Sequence, residues 1–265
     1  MNAVLPSKII HLNRDTHERM ADCQGCSKRS QCPMAGRPDS AMQGAQPMQK
    51  MIKSGKAAFE AGDKFEGVYI VRSGFFKSYS IDADGATQVT GFHLPGEFFG
   101  MDGIEDGHHR EYVEALDTSS VCRIPMDAFS APATTRHDGD RSDWSNNLMF
   151  AMVKLMSRTI GRDHEMFFTL GKLSARRKLG TFLADLSRRM ARGGYSSSQF
   201  RLCMSRTDIA NHLGLALETV SRVFTQLHVE GALEVSGREI RITDEQSLLR
   251  DDRPNGATAR RMCAR

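Results

Sequence analysis

An α+β fold in three successive parts is expected for this 265-residue chain: a small antiparallel roll, a long helix, and a closing pair of short helices followed by a hairpin. Three observations point to it. Glycines recur at turn-like spacing through β-rich runs after Lys56, an apolar seam runs from Met149 to Leu170, and SRTDIANHLGLALETVSR sets two short helical patterns about a glycine.

In the first part, Val68, Ile70, Phe75, Tyr79, Ile81, Val89 and Phe92 lie in short runs, with Gly62, Gly67, Gly74, Gly85, Gly91 and Gly96 between or within them. That pattern reads as an antiparallel barrel or roll. The polar stretch SAPATTRHDGDRSDWSNN then reads as a linker. Beyond it, Met149, Val153, Met156, Ile160, Asp163, Phe167 and Leu170 are separated by steps of 4, 3, 4, 3, 4 and 3 residues with no proline among them. The regular seam predicts a helix over 144–172 that pairs in parallel with a second copy rather than burying its seam on its own roll. Asp163 is the one charged seam position, and two copies brought together there would repel and hold the pair near its threshold.

Ser174 is placed to cap a second helix, SARRKLGTFLADLSRRMARGG, that stops at Gly193 and Gly194. Ser205, three residues before Asp208, approaches a capping box. A turn at Gly214, a helix with Leu217, Val220, Phe224 and Leu227 inward, and a hairpin at Ser236 and Gly237 complete a winged helix-turn-helix. On the opposite side of that last helix, Glu218, Ser221, Arg222 and Thr225 project together, with Thr219 beside them. The set suits a major groove: Arg forks onto guanine, Glu accepts from cytosine and Ser serves either role. The plainer reading is a solvated face with a Glu218 to Arg222 ion pair. The expected spans are 1–50 for an N-terminal cysteine segment, 51–143 for the roll, 144–172 for the dimerisation helix, 173–245 for the winged domain and 246–265 for a tail.

The composition, 40% hydrophobic and 26% charged, is that of a globular protein, and its charge is lopsided: −4 over residues 1–144 and +8 over 145–265. The basic half is the expected side for a polyanion. With no apolar run long enough for a membrane span and no leader-like N-terminus, a cytoplasmic protein is expected. In that reducing compartment, Cys23, Cys26 and Cys32, spaced C-x2-C-x5-C, read as metal or redox ligands before disulfides. A fourth ligand would come from Cys122, Cys203 or Cys263. Zinc sites more often pair two C-x2-C knuckles, whereas iron–sulfur ligation accepts a remote fourth cysteine, so the spacing favours a cluster while leaving zinc open. No dinucleotide fingerprint, second cluster motif or catalytic dyad supports an iron–sulfur redox enzyme, which would also leave the helix-turn-helix unexplained.

CQGCSKRSQC, VCRIP, FEAGD, VRSGFFKSYSI, GFHLPGEFFG, DGHHREYVEALDTS, LSRRMARGGYS and LALETVSR together resemble the Crp/Fnr family of transcription regulators, in its oxygen-sensing Fnr branch, over nearly the whole chain. The resemblance implies a cyclic-nucleotide-binding-like β-roll, a dimerisation helix and a winged helix-turn-helix. It implies Cys23, Cys26, Cys32 and Cys122 as ligands of a [4Fe-4S] cluster, and Glu218, Ser221 and Arg222 as base readers. Cys203 and Cys263 match no ligand and read as a buried residue and a tail residue. The implied function is an oxygen-responsive regulator of anaerobic or microaerobic genes, active as a homodimer on near-palindromic double-stranded DNA while the cluster is intact. The turn at Ile81, Asp82, Asp84 and Gly85 resembles a surface that touches RNA polymerase. A cyclic nucleotide is not expected: where its phosphate would sit the chain reads His108-His109-Arg110-Glu111-Tyr112, and Glu111 would repel it. His108 and His109 read as surface loop histidines. The same fold carrying a structural zinc or another redox or gas ligand is the rival.

Overall fold

The computed structural model describes residues 18–29, 32, 34, 46–128 and 139–251, with backbone alone for 139–147. Cys263 and residues 130–138 of the expected linker lie outside them. The roll comprises β1 (Arg19–Met20), β2 (Met48–Ile52), β3 (Ala57–Phe59), β4 (Gly67–Ser73), β5 (Phe76–Ile81), β6 (Thr87–His93), β7 (Phe98–Phe99), β8 (Tyr112–Ala115) and β9 (Ser119–Pro125). These form two antiparallel sheets, in the orders β1-β2-β9-β4-β7 and β3-β8-β5-β6. Their facing sides enclose Ile52, Phe59, Tyr69, Val71, Phe76, Phe99, Val113 and Val121.

Strand alternation gives the first sheet a second apolar side. Val68, Ile70, Phe98 and Ile124 point outward, and Met34, Leu148 and Met152 cover them. Leu148 and Met152 belong to α1 (Gly139–Lys172), a helix of 34 residues. It begins inside the stretch expected to be linker, five residues before the expected start. One side of α1 therefore packs on its own roll, through Leu148, Met152 and Leu155. The other carries the seam: Met149, Val153, Met156, Ile160 and Phe167 are exposed, Ile160 by 55% and Phe167 by 73%. Asp163 is exposed with them. Leu170 is half-buried instead, its Cδ2 lying 3.9 Å from where a Cβ on Gly214 would stand.

The remaining elements are α2 (Ala175–Arg192), β10 (Gln199–Arg201), α3 (Arg206–His212), α4 (Leu217–Val229), β11 (Leu233–Ser236), β12 (Glu239–Ile242) and α5 (Glu245–Leu248). Ser174 caps α2 by accepting from Arg177 N, and Ser205 and Asp208 form the full capping box of α3. β10, β12 and β11 make a three-stranded wing sheet. Two expectations are corrected. Leu217 is exposed and Val223 takes its place inside α4, because Leu217 opens the helix, where no preceding turn covers it. α5 occupies the start of the expected tail, with Leu248 fully buried.

Gly180 on α2 is where α5 comes closest: a Cβ there would stand 2.0 Å from the Leu248 carbonyl oxygen. Gly180→Ala gains about 1 kcal/mol of helix propensity but must push backbone aside, a cost of about 1–3 kcal/mol. Urea unfolding is expected to show net destabilisation; a variant more stable than the parent would mean that α5 yields freely.

Candidate metal centre and nucleic-acid interface

The four cysteines implied by the resemblance come together. Cys122 sits in the middle of β9, paired with Gln49 and Ile70, on the outward side of its sheet. The segment holding Cys23, Cys26 and Cys32 folds over that side, and all four line one small cavity with Asp22, Arg29, Met34, Pro47 and Ile70. Short local bonds shape the loop. Asp22 Oδ1 accepts from Gln24 N at 3.0 Å and Gly25 N at 2.9 Å, Cys26 O accepts from Arg29 N at 3.0 Å, and Arg29 O accepts from Cys32 N at 3.2 Å. None of the described cysteines forms a disulfide. Burial pushes the Cys122 thiol up to about 12; the Arg72 guanidinium opposes this and the three loop cysteines add to it. Among the described residues, no three His, Cys, Asp or Glu side chains are arranged to hold a single metal ion. Cys203 lies apart, half-buried, with Sγ 3.8 Å from Asp117 Oδ2.

On α4, Glu218, Ser221, Arg222 and Thr225 are exposed together, and Thr219 is half-buried beside them. Arg222 donates to Thr219 Oγ1 at 3.3 Å rather than pairing with Glu218. Gly214, at φ +59°, makes the turn that sets α4 against α3. Exposed Arg201, Arg238 and Arg241 on the wing sheet extend the basic surface.

Contacts that the sequence did not announce tie this domain to the roll. Lys77 of β5 reaches Asp208 at 3.0 Å, and Asn211 of α3 donates to Thr87 O at 2.6 Å and accepts from Val89 N at 2.5 Å. Deeper in, Arg189 of α2 donates to Glu97 through Nε at 2.8 Å and Nη2 at 2.6 Å, and to Asp185 at 3.3 Å. Arg162 of α1 approaches the same Glu97 at 3.7 Å. Burial alone would raise the Glu97 carboxyl; the charge and hydrogen bonds of Arg189 overcome it and hold the group down at about 2. The cysteine loop touches the same region: Lys28 Nζ donates to Gly193 O at 2.9 Å and stands 4.2 Å above the Tyr195 ring. The partners are 92 and 165 residues apart in the chain, and no local pattern marks them.

The loop at 108–112 corrects one expectation. His108 is exposed, but His109 is 3% exposed, stacked on Phe59 with ring centroids 3.5 Å apart and bonded to Asp102 at 3.1 Å. It is therefore not a surface loop residue; it completes an aromatic cluster with Tyr69 and Phe99. Arg110 points outward into Asp106 and Glu105.

The chain matches the family model of the cyclic nucleotide-binding domain over residues 49–133 and that of the Crp-like helix-turn-helix domain over 177–250. It is 41% identical over 199 residues to the fumarate and nitrate reduction regulatory proteins of Salmonella typhi and Escherichia coli strain K12, covering 75% of this chain and 76% of theirs. It is 38% identical to the transcriptional activator protein FnrA of Stutzerimonas stutzeri, over 87% of this chain and 92% of that one. Among solved structures, FixK2 from Bradyrhizobium japonicum superposes with a TM-score of 0.63 at 30% identity, over 76% of this chain and 95% of its own.

Replacing Glu97 with Gln leaves Arg189, whose side chain is 8% exposed, with Asp185 at 3.3 Å in place of two carboxylates, and is expected to cost about 2–4 kcal/mol at pH 7. The folded carboxyl titrates below the ordinary 4.5, so its contribution is complete above that value and is lost as pH falls towards 2. Unfolding of the two metal-free proteins from pH 7 to 3 checks this. The gap should narrow below about 4.5; buried His93 and His212 are common to both, and a gap constant with pH would contradict the pairing.

Proposed function

The chain belongs to the Crp/Fnr family of transcription regulators, and from that premise we propose that it is an oxygen-responsive, sequence-specific regulator of anaerobic or microaerobic genes, working as a cytoplasmic homodimer while a [4Fe-4S] cluster is intact. The observation that carries the reading is the meeting of Cys122 with Cys23, Cys26 and Cys32 around one cavity, from segments about 90 residues apart. The donor set fits the group. Four soft sulfur donors share a pocket with Met34, Pro47 and Ile70, a donor set suited to iron–sulfur ligation. When bound, such a cluster supplies an oxygen-labile centre. The residues around it do the rest: Arg72 and Arg29 place positive charge near an anionic assembly, and the loop bonds from Asp22 and Arg29 hold its shape.

The exposed seam supports the dimer. Apolar area of that extent along Met149, Val153, Met156, Ile160 and Phe167 is unfavourable in water, and the opposite side of α1 is already committed to the roll. A parallel second copy would bury it, with Asp163, whose carboxyl is already raised by partial burial, meeting its own copy there. The β5 to β6 turn, closed by Asp82 Oδ1 accepting from Asp84 N and Ala86 N, presents Ile81, Asp82, Asp84 and Gly85 as a firm exposed surface for RNA polymerase. The interior filled by His109, Phe59, Tyr69 and Phe99, with Arg110 drawn outward, supports a roll that binds no cyclic nucleotide.

The test of the centre is iron and acid-labile sulfide in anaerobically purified protein. Cys122→Ala should fall to background while keeping a folded roll and winged domain, whereas Cys203→Ala should match the parent. Full loading of Cys122→Ala refutes the ligand set.

Base reading is tested on half-site variants. Arg222→Ala should lose about 1–3 kcal/mol at one base pair per half-site, with half-sites about one helical turn apart. Equal loss at every position would leave Arg222 a phosphate contact only.

A further inference from the structure

A cleft opens between α1, α2 and the roll turn at Pro95 to Phe98. It is outside the roll interior and apart from the base-reading side of α4. Its lining carries six cations, Lys154, Arg158 and Arg162 on α1 and Arg188, Arg189 and Arg192 on α2, of which Arg189 is already bound to Glu97 and Asp185. Steps of four residues set the side chains of the α1 row about 6 Å apart along one side of the helix. Against these six cations the walls carry three carboxylates, Glu97, Glu165 and Asp185.

Those carboxylates are unevenly spent. Glu97 and Asp185 are both engaged by Arg189. Arg162 is left with Glu97 at 3.7 Å and the Thr159 hydroxyl at 3.3 Å, too few acceptors for five N–H donors. Arg158 is exposed and has no ion pair or hydrogen bond among the described residues, and Lys154 rests on the Phe150 ring. Holding guanidinium groups together in a partly buried space is unfavourable unless an anion joins them: burial and the neighbouring Arg189 charge both lower the Arg162 pKa. Guanidinium forks match phosphate oxygens two at a time, and ammonium adds a point charge.

We propose that this cleft binds a small polyanion of the phosphate class, a molecule carrying a run of phosphate groups, held by the cations of α1 and α2. Such an occupant bridges the dimerisation helix and the first helix of the DNA-binding domain, and it lies beside the cysteine loop, since Cys32 also lines the cleft. It therefore stabilises one setting of the winged domain relative to α1, an input separate from the state of the cysteines.

The probe is sodium tripolyphosphate, titrated calorimetrically into the full-length anaerobically purified protein at constant ionic strength, with potassium sulfate as the control anion. Saturable binding is expected, at one site per chain. Lys154→Gln/Arg158→Gln should weaken it by about tenfold or more, Arg158→Lys should retain most of it, and Arg222→Ala should leave it unchanged. Loss in Arg222→Ala with retention in the double variant would place the anion on the DNA-reading helix and overturn the proposal. So would equal affinity in every variant, or no saturable heat into the millimolar range. Both substituted side chains are solvent-facing, and a thermal melt of each variant without probe separates loss of binding from loss of fold.

Discussion

Arg189 is the tie on which the arrangement depends. It leaves α2, enters the space under the roll, and meets Glu97, Asp185 and the Phe92 carbonyl, with Arg162 of α1 at 3.7 Å from the same carboxylate. Roll, long helix and DNA-binding domain thus share one ionic contact, in which the Arg189 side chain is 8% exposed. A pair of this kind adds little net stability, because desolvation offsets the attraction. Its effect is on specificity of arrangement: a buried guanidinium tolerates few positions for its anion, so the three parts are held in one relative setting.

The second constraint is that two elements have two occupied sides each. β9 turns Val121 to the roll interior and Cys122 to the opposite surface, where the cysteine loop and the first half of α1 cover it. α1 in turn spends one side on that cover and leaves its seam bare. The cysteine loop therefore lies on the inner side of the helix whose outer side is the seam. The loop also touches the end of α2, where Lys28 donates to the Gly193 carbonyl. Packed interfaces of this kind pass on discrete shifts rather than gradual deformation.

Local chemistry made much of this legible in advance. Ser174 and the Ser205 and Asp208 box mark helix starts because a short side-chain oxygen satisfies amides that the helix leaves open. The helix under the seam could be read because apolar steps of 4 and 3 residues match helical turns. Leu217 misled because periodicity assigns a side without knowing where a helix begins. The linker misled because polar composition is also compatible with the first turns of a helix. His109 misled because a loop histidine among charged neighbours reads as wet, whereas the turn folds its ring onto Phe59.

From the sequence by itself come the kinds of element and their order, the three clustered thiols, the seam and the exposed polar side of α4, all properties of neighbours along the chain. Spacing alone left Cys122, Cys203 and Cys263 open as fourth ligand and the resemblance pointed to Cys122; the fold brings Cys122 to one cavity with Cys23, Cys26 and Cys32 and leaves Cys203 beside Asp117. Only the fold likewise brings Glu97 to Arg189, Lys28 to Gly193 and six cations to one cleft. The reason is physical: capping and periodicity act over a turn or two of chain, whereas an ion pair or a shared cavity depends on distances that exist only after the sheets and helices have packed.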